Sequence, residues 1–261
     1  MSKLASLVPL LRRLRNRLPH YRVAWLFLAV VGSAYLVRSF ICHREMANIA
    51  ATYRHLSDGP NGPFVPYLVE SAMMFGYTQD VALGRGLPHC DRRLGGMEQM
   101  PTGRQFTNGL EYFFGWGYRL RELLHLRLAR PDPAQAYEDD PGFAPWLRRW
   151  VRLWASLVAG LVFLWLIALR CPQSLAVLGG LLHAVAPAAI ARYTGQDLVR
   201  GSFCLPLLTA CFVLAAWQFN APRRWKLPLL GLLVFLALAT WDMCQIVFGL
   251  WGLYELIRLL A

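Results

Sequence analysis

Long apolar runs alternate with short polar breaks along this chain, apart from one broad polar stretch after the first run. Six runs approach the roughly 20 residues that a helix needs to cross a bilayer core. They are 23–42, interrupted only by Arg38, then 153–169, 174–191, 202–217, 227–241 and 245–257. Little chain joins the last two, which leaves open a bent hydrophobic hairpin or a re-entrant pair. The pattern predicts an all-α, polytopic α-helical membrane protein of about six transmembrane helices with a large first external helical loop. It divides into a basic amphipathic cytoplasmic segment (1–22), a first transmembrane helix (23–42), an external loop with helices (43–149) and a bundle of about five transmembrane helices (150–261).

Helical spacing continues inside the polar stretch. Asp58-Gly59-Pro60-Asn61-Gly62-Pro63 is a turn signal that follows a short helix over 46–56. A helix is then predicted from about Pro66 to Leu83, with Leu68, Val69, Ala72, Met73, Phe75 and Val81 on its packed face and Gly84-Arg85-Gly86 as its stop. Residues 108–128 give a second helix, with Leu110, Phe113, Phe114 and Gly117 at i, i+3, i+4 and i+7. Its aromatics Tyr112, Phe113, Phe114, Trp116 and Tyr118 fit membrane-interface packing better than a sugar platform. The segment 131–145, with Glu138, Asp139 and Asp140, reads as the return to the second span.

Charge sets an orientation. Residues 1–22 carry Lys3, Arg12, Arg13, Arg15, Arg17 and Arg22 without an acid, which predicts a cytoplasmic N-terminus. Alternation then leaves Arg223, Arg224 and Lys226 cytoplasmic and the 43–149 loop external, where acids and bases balance. The formal net charge of +12 is on this reading a topology signal, and nucleic acid is not an expected partner. Leu4, Leu7, Leu11, Leu14 and Leu18 lie at helical spacing beside the N-terminal arginines, which suits a helix lying against anionic lipid or a basic flank before an anchor. The protein is expected in an inner or plasma membrane.

Six cysteines and six histidines are dispersed without a Cys-x-x-Cys pair or zinc-like spacing, so neither a zinc site nor a disulfide in the loop is inferred. No phosphate-cradling glycine signature, nucleophile elbow or internal repeat is visible. The carboxylates are informative by position. All but Asp197, Asp242 and Glu255 fall in the external loop, and the topology puts Asp197 and Asp242 on the same side as that loop. An ionised carboxylate beside lipid is costly and is read first as a functional site or a paired charge. Without a catalytic role, Glu70 reads as a solvated acid at a helix start, Asp197 as a cap of the fourth span or partner of Arg200, and Asp242 as an interfacial residue. Arg38 is expected to snorkel or pair near the external end of the first span.

The stretch Val69-Glu70-Ser71-Ala72-Met73-Met74-Phe75-Gly76-Tyr77-Thr78-Gln79-Asp80-Val81-Ala82-Leu83-Gly84-Arg85-Gly86-Leu87-Pro88 resembles the first external loop of the C superfamily of membrane glycosyltransferases, most closely the oligosaccharyltransferase catalytic subunit. Glu70 and Asp80 stand where that family has an acid opening a helix and another about ten residues on. Ala191-Arg192-Tyr193-Thr194-Gly195-Gln196-Asp197 follows the third span where the family has an Arg, a Gly and an acidic pair, and Trp241 resembles its aromatic external turn. Two departures stand out: the first acid is Glu70 where the family usually has Asp, and Val199 occupies the place of the second acid of the later pair.

The resemblance implies transfer of a sugar or glycan from a polyprenyl-phosphate-linked donor on the non-cytoplasmic side. It implies Glu70 as general base or metal ligand and Asp197 as the second catalytic and metal-binding carboxylate. Arg192 or Arg200 becomes a phosphate clamp, Asp80 and Tyr77 join these arginines as substrate-binding residues, and a divalent cation, Mg or Mn, is a cofactor. Ten helical residues separate Asp80 from Glu70 by about 15 Å unless the helix breaks at Gly76. Family members continue into further spans and an acceptor domain, so this chain is expected to correspond to their N-terminal portion, with a partner chain supplying the rest. Membrane lipids are the other expected partners. The other reading is a non-catalytic, truncated or degenerate relative that binds lipid or a partner through the loop.

Overall fold

Every regular element among the described residues of this computed structural model is a helix. The described residues are 2–52, 70–87, 108–124, 142–191 and 198–260, without the side chains at 2–20, 49, 50, 52, 70, 188 and 191. Helix α1 spans Ser2–Thr52, α2 Glu70–Ala82, α3 Gly109–Leu124, α4 Phe143–Ala168, α5 Gln173–Val185, α6 Pro187–Ala191, α7 Arg200–Asn220, α8 Lys226–Leu238 and α9 Cys244–Leu260.

Three helices are long and apolar enough to cross a membrane: the Tyr21–Asn48 part of α1, α4 and α7. This is half the number read from the sequence, for local reasons. The run 174–191 is not one helix, because Ala186 takes an extended conformation (ψ 127°) and α5 ends at Val185. Pro187 follows, and a residue before proline is driven out of the helical region by the proline ring. Helices α5 and α8 have 13 residues each, a rise of about 20 Å against a hydrocarbon core of about 30 Å. Helix α4 begins at Phe143, ten residues before the expected start of its apolar run. Helix α1 is continuous for 51 residues, so its backbone carries the basic N-terminal stretch and the first apolar run in one rod.

Helix α4 packs against α1, α5 and α7, while α7 also holds α8 and α2 packs on α3. One core joins α2, α3, α4, α7, α8 and the start of α9 through Met74, Leu110, Phe114, Leu147, Phe203, Ala237 and Cys244. A smaller one joins α1, α4 and α5 through Val30, Ala34, Ala159 and Ala184. Outward faces of α1, α8 and α9 carry Trp25, Leu28, Phe40, Leu232, Phe235, Ile246, Leu250 and Leu253 in the open. Exposed apolar surface on that scale suits lipid contact rather than water.

Four hydroxyl groups in the helices are satisfied locally. Thr78, Ser156, Thr209 and Thr240 each donate a hydroxyl to the carbonyl four residues back, at 2.7 Å. Pro206 lies within α7 and has no N–H to give to the Ser202 carbonyl. One residue along, Trp154 Nε1 of α4 donates to the Phe203 carbonyl at 2.8 Å, pinning this part of α7 to its neighbour. Arg38 does not reach water: it is fully buried and turns back toward the Ala34 carbonyl, 3.4 Å away.

The two ends of the bundle differ. At one end Asn220 Nδ2 donates to the Ala168 carbonyl, and Lys226 Nζ donates to the carbonyls of Trp217 and Ala221. At the other, α2 and α3 sit over the starts of α4 and α7, and Gly109 N–H donates to the Ala239 carbonyl at 3.1 Å. Arg223, Arg224 and Lys226 thus lie at the end opposite to the loop helices.

Candidate functional site

The loop-side end holds a buried charged pair beside an apolar crevice. Glu111, in the first turn of α3, is fully buried, and its Oε1 accepts from Arg200 Nη2 at 2.8 Å and Nε at 3.1 Å. Arg200 opens α7, and its Nη2 also donates to Asn108 Oδ1 at 2.9 Å. The other carboxylate oxygen of Glu111, Oε2, has no hydrogen-bond partner among the described residues. Burial pushes the Glu111 carboxyl above the usual glutamate range, and the charge and hydrogen bonds of Arg200 oppose that shift without cancelling it.

Beside the pair, Leu110 and Phe114 of α3, Val151, Trp154 and Ala155 of α4, and Leu198, Val199, Ser202 and Phe203 line a small, mainly apolar crevice of about 10 Å³, room for about one water. Its walls are rigid aromatics: Trp154 stacks on Phe203 at 5.0 Å between centroids, and Phe113 meets both rings at 4.8 and 5.2 Å. The loop helix therefore spends its aromatics on packing. Tyr118 likewise meets Phe143 and Trp146, whereas Tyr112 and Trp116 pair with each other on the outer face.

The residues singled out by sequence fall unevenly. Glu70 is the first residue of α2, its side chain not among those described; Arg192 and Asp197 lie outside the described residues. Their neighbours meet. The buried Ser71 hydroxyl accepts a hydrogen bond from the Leu198 N–H at 3.0 Å, across 127 residues of sequence. This bond ties the first turn of α2 to the strand-like entry of α7, where Val199 is extended (φ −125°, ψ 143°) and occupies the N-cap position without a capping side chain. The N-cap position considered for Asp197 is thus occupied by Val199, which has no side-chain acceptor to offer. Arg200, expected to face a phosphate, is held by Glu111 and Asn108.

Asp80 and Tyr77 belong to the far part of α2. Helix α2 is continuous through Gly76, so Asp80 stays about 15 Å along the axis from Glu70. Asp80 pairs with Arg85 at 3.6 Å, next to the predicted stop, where Gly84 (φ 78°) and Gly86 (φ 73°) adopt the left-handed conformation that glycine tolerates. Tyr77 is buried in the main core, not presented to a ligand. Asp242 is exposed in the turn before α9, as an interfacial residue would be. Among the described residues no three His, Cys, Asp or Glu side chains gather to hold a metal ion.

Glu111 was not singled out by sequence reasoning, though a signal was present. It lies at i−3 from Phe114, i−4 from Gly115 and i−7 from Tyr118, on the stripe that α3 buries. Comparison with protein-family models, with curated proteins and with solved structures returns no match to this chain.

Proposed function

We propose that this chain is a membrane glycosyltransferase, or the N-terminal part of one, that moves a sugar or glycan from a polyprenyl-phosphate-linked donor to an acceptor outside the cytoplasm. The observation that carries the reading is the Leu198 N–H to Ser71 Oγ hydrogen bond, because Ser71 follows Glu70 and Leu198 follows Asp197. Two distant acidic segments with the expected motif order thereby share one end of the bundle.

In such a transfer the acceptor nucleophile bonds to the anomeric carbon as the bond from that carbon to the lipid phosphate oxygen breaks. Glu70 takes the acceptor proton as general base. The developing charge on the leaving phosphate is met by Arg200 and Arg192, with Glu111 fixing the direction of the Arg200 fork. Two hard carboxylates such as Glu70 and Asp197 also suit a divalent cation, which when bound would neutralise the same phosphate. The membrane arrangement we favour keeps six segments, with α5, α8 and α9 traversing only part of the core alone and completing it beside partner helices. Lys226, Arg223 and Arg224 then mark the cytoplasmic side.

The test uses membranes containing the full chain and a labelled lipid-linked sugar. Wild type transfers label; Glu70→Gln and Asp197→Asn lose it while binding donor as before. Equal transfer by wild type and Glu70→Gln overturns the assigned base. A second reading, a non-catalytic membrane protein that binds lipid or a partner, is favoured by the occupation of Arg200 by Glu111 and Asn108 and by Val199 in place of an acid. It predicts donor binding by all three chains and transfer by none.

A further inference from the structure

We infer that Cys204 and Cys244 are joined by a disulfide in the mature protein, clamping the start of α7 to the start of α9. Their sulfurs lie 2.9 Å apart, closer than two unbonded sulfurs pack, although 40 positions separate them in sequence. Both side chains are fully buried. Neither takes part in the proposed transfer. The other described cysteines are placed differently: Cys42 is buried on α1, Cys171 lies at the opposite end of the bundle, and Cys211 sits two turns deeper along α7.

The position is chemically suited to oxidation. Cys204 is in the second turn of α7, and Cys244 opens α9 after the turn that Gly109 touches through Ala239. This is the end that the charge pattern assigns to the non-cytoplasmic side, where disulfides form and persist. Helix α9 otherwise has few contacts with the rest of the bundle. A covalent tie at its first residue would hold it against α7 and α8 where packing does little.

The step is thiol–disulfide exchange with a disulfide-bearing oxidant of that compartment. Each cysteine gives up its thiol hydrogen, one S–S bond forms between Cys204 and Cys244, and the oxidant leaves as its dithiol with both hydrogens and both electrons. Because the two thiols are sealed in the folded state, the exchange takes place before α9 settles.

The inference rests on the charge-derived orientation and not on the transferase chemistry. Cells expressing the full chain are quenched with N-ethylmaleimide, and the protein is purified without reductant and digested with trypsin. Mass spectrometry is expected to find peptide 201–223 linked to peptide 227–258, at their summed mass less two hydrogens, with the link lost on reduction. Both Cys204 and Cys211 lie in the first peptide, so Cys211→Ser must retain the link and Cys204→Ser must lose it. Maleimide on Cys204 and Cys244 of the wild type, with no linked species, overturns the proposal whatever the variants do. A link that survives Cys204→Ser also overturns it. Protease cleavage of the 43–149 loop in sealed right-side-out vesicles reads the orientation separately. A missing link in chains cut there refutes the pairing, and a missing link in uncut chains refutes the orientation with it.

Discussion

Replacing Glu111 by alanine is expected to be among the most damaging single changes outside the apolar core, and its size follows from the geometry. The carboxylate is fully buried, whereas the Arg200 side chain is 14% exposed and points at it through Nη2 and Nε. Alanine removes both contacts to Glu111 while the bond to Asn108 remains. Hydrogen bonds to a charged group are each worth about 1.5–3 kcal/mol, and breaking a buried pair from one side costs about 3–5 kcal/mol. For a chain of this size that corresponds to a fall in Tm of roughly 6–20 °C. The pair as a whole is worth far less than this, since two desolvated charges roughly offset their own attraction. Glu111→Leu combined with Arg200→Met is therefore expected to recover most of the loss.

The assay is thermal unfolding of the purified full chain in detergent, followed by tryptophan emission, for wild type, Glu111→Ala, the single variants Glu111→Leu and Arg200→Met, and the double variant that combines these two. A Glu111→Ala protein melting within about 2 °C of wild type, a shift below about 1 kcal/mol, would show that the pair is not sealed from solvent. A double variant no better than the sum of the singles would show that the two side chains do not act as a unit.

Three further outcomes follow from the same end of the molecule. Since burial holds the folded-state pKa of Glu111 above its unfolded value, the group's contribution is full below the ordinary glutamate range and lost as pH rises through the folded value. Wild type should thus gain Tm on mild acidification relative to Glu111→Gln, and parallel profiles for the two would refute the shift. Ser71→Ala removes the acceptor of the buried Leu198 N–H and should cost about 1–3 kcal/mol in thermal unfolding, with donor transfer falling along with it; no change in Tm would mean water replaces the hydroxyl. At Gly115 an added Cβ would lie 2.6 Å from Val81 Cγ1 and 3.0 Å from the Thr78 carbonyl, so Gly115→Val should force α2 from α3 at about 1–3 kcal/mol. Gly231→Val, where nothing lies within 4 Å of the added Cβ, is the matched control, and equal melting of the two variants would deny the close approach.

The helical architecture was legible because apolar periodicity and turn chemistry are local. The stop at Gly84-Arg85-Gly86 is where α2 ends, and Leu110 and Phe114 do face the core, whereas Phe113 is exposed because the stripe that α3 buries runs through Glu111, Gly115 and Tyr118. Span length was less legible. The run 174–191 is apolar throughout, but hydropathy sums side chains and is blind to the backbone restriction that Pro187 places on Ala186. Arg38 was read as snorkelling or pairing near the external end of the first span, and the structure excludes the first of these. Its burial depends on the packing of α1 against α4 and α5, which no window of sequence contains.

The site itself divides along the same line. Asp80 and Tyr77 were chosen for their place in a motif, yet one belongs to the end of α2 and the other to the core, because a straight helix cannot bring residues ten apart to one point. Glu111 lacked a motif and is nonetheless, among the described carboxylates, the one under the clearest physical constraint: buried, raised in pKa, and hydrogen-bonded on one oxygen. A protein retains such a group for two reasons, to fix a partner's direction or to react. Here the first suffices for Oε1, which aims Arg200, and leaves Oε2 without a described partner. If Oε2 serves the chemistry, Glu111→Gln lowers transfer while Arg200 stays in place; if it only aims the guanidinium, Gln, whose amide oxygen still accepts, preserves transfer. The amide substitution therefore separates positioning from catalysis at one buried atom, and it does so without the loss of packing that alanine brings.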